Sequence, residues 1–230
     1  VLPLARRATL EVAHFHNEAK ALRGKLAGTV AIGLPGSVAA RIVAPLVRES
    51  GERFPDLSLR FVEGLSGGIE ERLATRRIDL GLTFLPAARV RRGMVPLASS
   101  SLYLIGPAGD GLTARRSVSL AQVAAAPVML PGRPHSVRTM VEDVCARRGL
   151  ALTLLCEIES LLAIKDTVAA GCGYTIAGYD SVARDVADGR LQATPIRQPT
   201  ITRLLVMATY SFARVIDHNS GFAAALQTSL

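Results

Sequence analysis

Tryptophan is absent, phenylalanine and tyrosine together supply only 4% of the 230 residues, and lysine occurs three times, at Lys20, Lys25 and Lys165. A chain this poor in aromatics offers no stacking platform for single-stranded nucleic acid, and its basic residues form no stripe alternating with aromatics. Cysteine is equally sparse. Cys145, Cys156 and Cys172 are odd in number and lack metal-ligand spacing, so they read as reduced, partly buried thiols of a cytoplasmic protein. No apolar run reaches the roughly 18 residues of a membrane span, and no apolar signal segment is visible near Val1, although one removed beforehand would leave no trace. The nucleophile and phosphate-loop motifs are missing as well: there is no GxSxG, HExxH, P-loop, or GxGxxG after a strand. Neither an enzyme nor a metal or cofactor protein is expected.

Apolar residues make up 49% of the chain, enough for a sizeable core in one large domain or two small ones. The net charge of +8 is spread out: residues 1–26 hold five basic and two acidic side chains, the remainder 22 and 17. Arginine in place of lysine beside abundant alanine reads as a composition effect more than as a nucleic-acid face.

Along the chain, Ala8, Val12, Phe15, Ala19, Leu22 and Leu26 recur at gaps of 4, 3, 4, 3, 4, a heptad seam that predicts a helix pairing with its copy in another subunit. Val30, Ile32 and Leu34 alternate as a strand. Pro35-Gly36-Ser37 turns into a helix over about 38–53 with Ser37 as its cap, Pro45 bending it and Phe54-Pro55 ending it. Strand 57–61, a short helix after Gly67-Gly68 and a buried strand Asp79–Phe84 complete a parallel βαβαβ unit. Strands at 95–97 and 102–105 follow. After the turn cluster Pro107–Gly111 a second strand–helix alternation runs to about residue 196, strand 203–208 returns, and a last helix covers about 212–226.

These halves predict an α/β fold of two Rossmann-like subdomains of periplasmic-binding-protein type with a cleft between them, preceded by a linker helix. The expected division is a linker and dimerisation helix at 1–27, one subdomain at 28–108 plus 202–230, and the other at 109–201. Several polar residues fall at strand ends and helix starts, where free N–H groups and the helix dipole favour anions. They are Ser37, Thr83, His135, Ser136 and Ser160, each also readable as a plain cap, packing group or solvated loop residue. His14 and His16 face different sides of one helix. Cys172 between Gly171 and Gly173 reads as a turn residue. Glu157 and Glu159 share a face of a strand without partner chemistry for acid–base work.

The helix before Gly28, G-T-V-A-I-G at 28–33, Phe54-Pro55, I-D-L-G-L at 78–82, L-Y-L-I-G-P at 102–107, E-I-E-S-L-L at 157–162 and V-A-A-G-C-G-Y at 168–174 resemble, in order and spacing, the LysR-type transcriptional regulators. The stretch 28–84 and E-I-E-S look most similar to nitrogen-assimilation regulators. The resemblance covers roughly 4–215. It implies the linker and effector-binding domain of a homodimeric or homotetrameric cytoplasmic regulator, with DNA bound only through an N-terminal helix-turn-helix that this sequence does not contain. It places Ser37, Thr83 and Ser136 where family members contact effectors, usually small organic anions, although some nitrogen-linked members work without one. It also implies that helix 38–53 meets helix 137–148 of a partner through Ile42, Leu46, Val141 and Cys145. Ile176-Ala177-Gly178-Tyr179 departs from the family, which often has a proline after that glycine turn. The rival expectation is a solute-binding protein of a transport system, which shares the two-lobed fold.

Overall fold

The computed structural model describes residues 27–209, and the seam at 4–26 and the helix at 212–226 lie outside them. The first half is built from β1 (Gly28–Leu34), α1 (Gly36–Arg53), β2 (Leu57–Glu63), α2 (Ser66–Ala74) and β3 (Leu80–Leu85). β1 lies between β2 and β3 and is parallel to both, so each connection must cross over a sheet face, which α1 and α2 do. All six residues of β3 are buried, as expected of a strand covered on both faces. α1 turns Val38, Ile42, Leu46 and Ser50 inward, one turn apart, and the first three join the cluster of Ile32, Leu34, Leu80 and Leu82. α2 packs Ile69 on the opposite face, against Ala31 and Ile78. α1 runs without a break through Pro45.

A 14-residue strand, β4 (Met94–Pro107), replaces the two short strands expected there. The serines at 99–101 do not interrupt it, because the strand is held by backbone pairing, to β10 (Thr202–Thr209) up to Ser101 and then to other strands. From Leu102 to Pro107 it pairs instead with β8 (Thr175–Gly178) and β9 (Leu191–Arg197). The handover therefore falls between Ser101 and Leu102, ahead of the Pro107–Gly111 turn, and the Leu102 amide donates to the Ile201 carbonyl at 2.9 Å. β10 is antiparallel to both β3 and β4. The sheet order is β2-β1-β3-β10-β4-β9-β5, with β8 also on β4 and β5 spanning Val118–Ser119.

The second half adds α3 (Leu120–Ala125), β6 (Val128–Leu130), α4 (Ser136–Ala146), β7 (Leu154–Glu157), α5 (Leu161–Ala169) and α6 (Ala183–Ala187). Ser119 and Gln122 form a reciprocal capping box that starts α3. The core of this half gathers Leu102, Leu104, Val128, Leu130, Val141 and Ile176.

Burial corrects the expected subunit contacts. Ile42, Leu46, Val141 and Cys145 are each no more than 1% exposed, because they lie on the inward faces of α1 and α4 against their own cores. Their side chains are packed within their own subunit. The exposed positions include Val47 and Arg48 on α1, and Asp143 and Ala146 on α4. Of the thiols, Cys145 is buried, while Cys156 and Cys172 are exposed.

Gly173 precedes β8 with φ at +153°, and a Cβ there would lie 2.6 Å from the Pro127 carbonyl oxygen, a backbone atom that already accepts from the Tyr174 amide. Gly173→Ala is expected to cost about 1–3 kcal/mol, read as a lower urea midpoint at constant m-value. An unchanged midpoint would contradict this packing.

Candidate functional site

Two cavities, each of about 350 Å³, open where the halves meet. The first is ringed by the starts of four helices: Gly36-Ser37 of α1, Leu65-Ser66 of α2, Ser136-Val137 of α4 and Leu161 of α5. Crossover geometry is the reason, since each helix follows a parallel strand and begins at that strand's carboxyl end. The cavity is closed across the halves by Ser66 and Ser136, where the Ser66 hydroxyl donates to the Ser136 oxygen at 3.3 Å. The second cavity lies against β4 and holds Arg41, Ser99–Ser101, Tyr103, Tyr179 and Asp180. Ser37 and Phe84 line both.

Arg203 of β10 is the buried cation of this region, 4% exposed. Its guanidinium lies 3.6 Å over the Phe84 ring, Nε donates to the Ser100 hydroxyl at 3.1 Å, and Nη2 donates to Asp180 Oδ1 at 3.4 Å. Arg203 lines the first cavity and Asp180 the second, so their ion pair stands between the two. Burial lowers the Arg203 pKa and Asp180 pulls it back up, with a net fall; a guanidinium stays charged throughout. Gly178 leaves the room this pair needs, because a Cβ there would sit 2.2 Å from Arg203 Nη2 and 2.3 Å from Asp180 Oδ1.

Three of the five anticipated residues meet in the first cavity. Ser37 lines it but does not cap α1; the cap position is Pro35, without a side-chain hydrogen bond. His135 caps α4, its Nδ1 accepting from the Val137 amide at 3.3 Å, which leaves the proton of the neutral ring on Nε2. Ser136 is buried beside it. Thr83 is 2% exposed in β3, its hydroxyl has no partner among the described residues, and it lines neither cavity. Ser160 accepts from the Ala163 amide at 3.3 Å as the cap of α5; it too is off both linings, although its neighbours Glu159 and Leu161 are on the first. Glu157 and Glu159 do come to one place, flanking Gly132. Glu159 accepts from the Gly132 amide at 3.0 Å, while Glu157 pairs with Arg138 at 3.4 Å.

Arg203, Phe84, Glu63 and Ser66 were not anticipated. Arg203 had a readable signal, a lone charge inside the apolar run from Ile201 to Ala208. Among the described residues no group of three or more His, Cys, Asp or Glu could hold a metal, and no helix is long and apolar enough to cross a membrane.

Burial and the positive Arg203 both disfavour the His135 imidazolium, and Glu159 only partly offsets them, so folded His135 titrates below its ordinary 6.5. As pH falls the unfolded chain takes up this proton first. The stability present above pH 6.5 is therefore lost progressively below it. We expect the urea midpoint to drop more for wild type than for His135→Asn between about pH 7.5 and about pH 5, asparagine keeping an acceptor for the Val137 amide. Equal drops would show that His135 is not held neutral.

A mixed sheet wound through two halves, joined by crossing strands and enclosing a polar cleft, is the architecture of a periplasmic-binding-protein-like effector domain. Residues 23–228 match the LysR substrate binding domain family, and the chain belongs to it. Its relatives are transcriptional regulators. The HTH-type transcriptional regulator BbuR of Bordetella bronchiseptica is 26% identical over 199 residues, covering 86% of this chain and 61% of BbuR. The nitrogen assimilation regulatory protein nac of Klebsiella aerogenes is 28% identical over 162 residues, covering 70% of this chain and 52% of nac. The chain thus spans between half and two thirds of these two relatives. The Synechocystis CcmR regulatory domain in complex with 2-PG superposes with a TM-score of 0.75 at 16% identity, covering 88% of this chain and 97% of that one, and shows the shared fold.

Proposed function

We propose that this chain is the effector-sensing and oligomerisation domain of a LysR-type DNA-binding transcriptional regulator. A small molecule enters the first cavity, bridges the helix starts of both halves, and shifts their relative angle; the DNA contacts of the regulator are supplied outside this domain. The observation that carries this is the convergence of four helix starts and buried Arg203 on one cleft, between halves that share β4 and its neighbour β10. The subdomains divide near residue 108 and again near 201. The domain does no chemistry of its own, works in the cytoplasm as a homodimer or homotetramer, and binds a ligand with an anionic group. Ser37, His135 and Ser136 contact that ligand. Regulator relatives and the family match favour this over a transport solute-binding protein.

The test is a thermal-shift screen of the purified chain against small carboxylates and amino acids, repeated on Ser37→Trp, whose indole would fill the cleft. A ligand should raise the melting temperature of wild type and not of the variant. Equal shifts in both, or no shift with any compound, would overturn the reading. Sedimentation at tens of micromolar should give a dimer or larger, and a monomer would remove the oligomerisation role.

A further inference from the structure

The charges around the first cavity do not suit a simple anion. Two carboxylates, Glu63 and Glu159, line it together with one guanidinium, Arg203, and one imidazole, His135. The ring is biased to its neutral form by burial and by Arg203. The positive charge of Arg203 already faces Asp180, although Nη1 has no partner among the described residues. Among the same residues no cation pairs with either glutamate. The Glu63 carboxylate lies against the start of α1, where a Cβ on Gly36 would come within 2.3 Å of Oε1. Glu159 sits just ahead of α5 and takes a single hydrogen bond from the Gly132 amide. Two of the four helix starts, which would otherwise attract an anionic ligand, thus have carboxylates of the protein beside them.

Both glutamates remain accessible to solvent, so their charges cost little in the open cleft. A ligand that covers them without bringing a cation would strand two desolvated carboxylates. A lone carboxylate would also approach a lining whose uncompensated charge is negative. A molecule with a positive group at one end and a carboxylate at the other resolves both conflicts. Its cation meets Glu63 and Glu159, and its carboxylate meets Arg203 Nη1 and the α2 and α4 starts. A cavity of about 350 Å³ holds a molecule of that size.

We propose that the effector of this cavity is a zwitterion, an α-amino acid or a close analogue, with Glu63 and Glu159 selecting its ammonium and Arg203 its carboxylate. This rests on the reading of the cleft as the effector site and adds the ligand class.

The probes are the proteinogenic L-amino acids at millimolar concentration, each beside its N-acetyl derivative, which lacks the ammonium, and its amide, which lacks the carboxylate. Melting shifts of the purified chain identify a binder, and calorimetry measures it. At least one amino acid should bind, and either modification should weaken it about tenfold or more. The double variant Glu63→Gln, Glu159→Gln should lose the amino acid by a similar factor while binding N-acetyl derivatives at least as well as wild type does. The single variant Glu63→Gln should keep the wild-type circular dichroism and melting temperature and still bind the amino acid more weakly. If N-acetyl derivatives or plain carboxylates bind wild type as tightly as any amino acid, or if the glutamine variants bind the amino acid unchanged, the zwitterion assignment falls and the effector site stands. If no amino acid, derivative or plain carboxylate shifts the melting temperature, both fall.

Discussion

Replacing Arg203 with methionine is expected to lower the folding free energy by about 3 kcal/mol, and to do so through the wall between the two cavities. Methionine keeps most of the side-chain bulk against Phe84, so the loss is not mainly one of packing. What disappears is the charge that faces Asp180, whose side chain is only 18% exposed, along with the guanidinium over the Phe84 ring and the hydrogen bond to Ser100. Removing one member of a buried pair leaves the other uncompensated, and that penalty outweighs the modest net worth of the intact pair. The control is Arg203→Met with Asp180→Asn, which removes the stranded charge. The double variant should recover part of the loss, so the cycle should show a coupling on the order of 1 kcal/mol or more between the sites. A single variant within about 0.5 kcal/mol of wild type by urea unfolding would mean that solvent already screens the pair.

Leu34→Ala is expected to cost about 3–4 kcal/mol. Leu34 is fully buried at the end of β1, in the cluster with Val38, Ile42, Leu82 and Phe84. Truncation removes the transfer energy of the lost carbons and leaves a cavity that a sheet covered on both faces cannot close. Leu34 also leads directly into Pro35–Ser37, which line the first cavity, so Leu34→Ala should weaken binding of the proposed effector as well as stability. Leu34→Ile conserves volume and suits a strand, and should cost less than about 1.5 kcal/mol. A shift in the urea midpoint at constant m-value checks both. Equal costs for the two variants would show that cavity formation is not the cause.

The opening run was legible because its periods are local. Alternation at Val30, Ile32 and Leu34, the four-residue spacing of Val38, Ile42 and Leu46, and the stop at Phe54-Pro55 each follow from backbone geometry within one element. The same locality misled at β4. The serines at 99–101 have little apolar content of their own, yet hydrogen bonds to β10, a hundred residues away in sequence, keep the strand continuous. It misled again at the proposed subunit contacts. The resemblance implies only that these two helices face a partner, whereas the apolar positions on a helix are the ones its own sheet claims first, so Ile42, Leu46, Val141 and Cys145 are inside.

The site divides along the same line. Ser37, His135 and Ser136 could be picked out because a turn followed by a helix start is written in adjacent residues. That these starts face each other across one cleft, that Glu63 lies against the first of them, and that Arg203 crosses from β10 to Asp180 depend on residues 23 to 103 positions apart in the chain. Periodicity, turn chemistry and the order of short motifs were enough to establish the α/β alternation, the two halves and the family. The pairing of distant strands decided which polar groups share a cavity and what charge it presents, because those contacts arise from packing between elements and leave no repeating mark in the sequence.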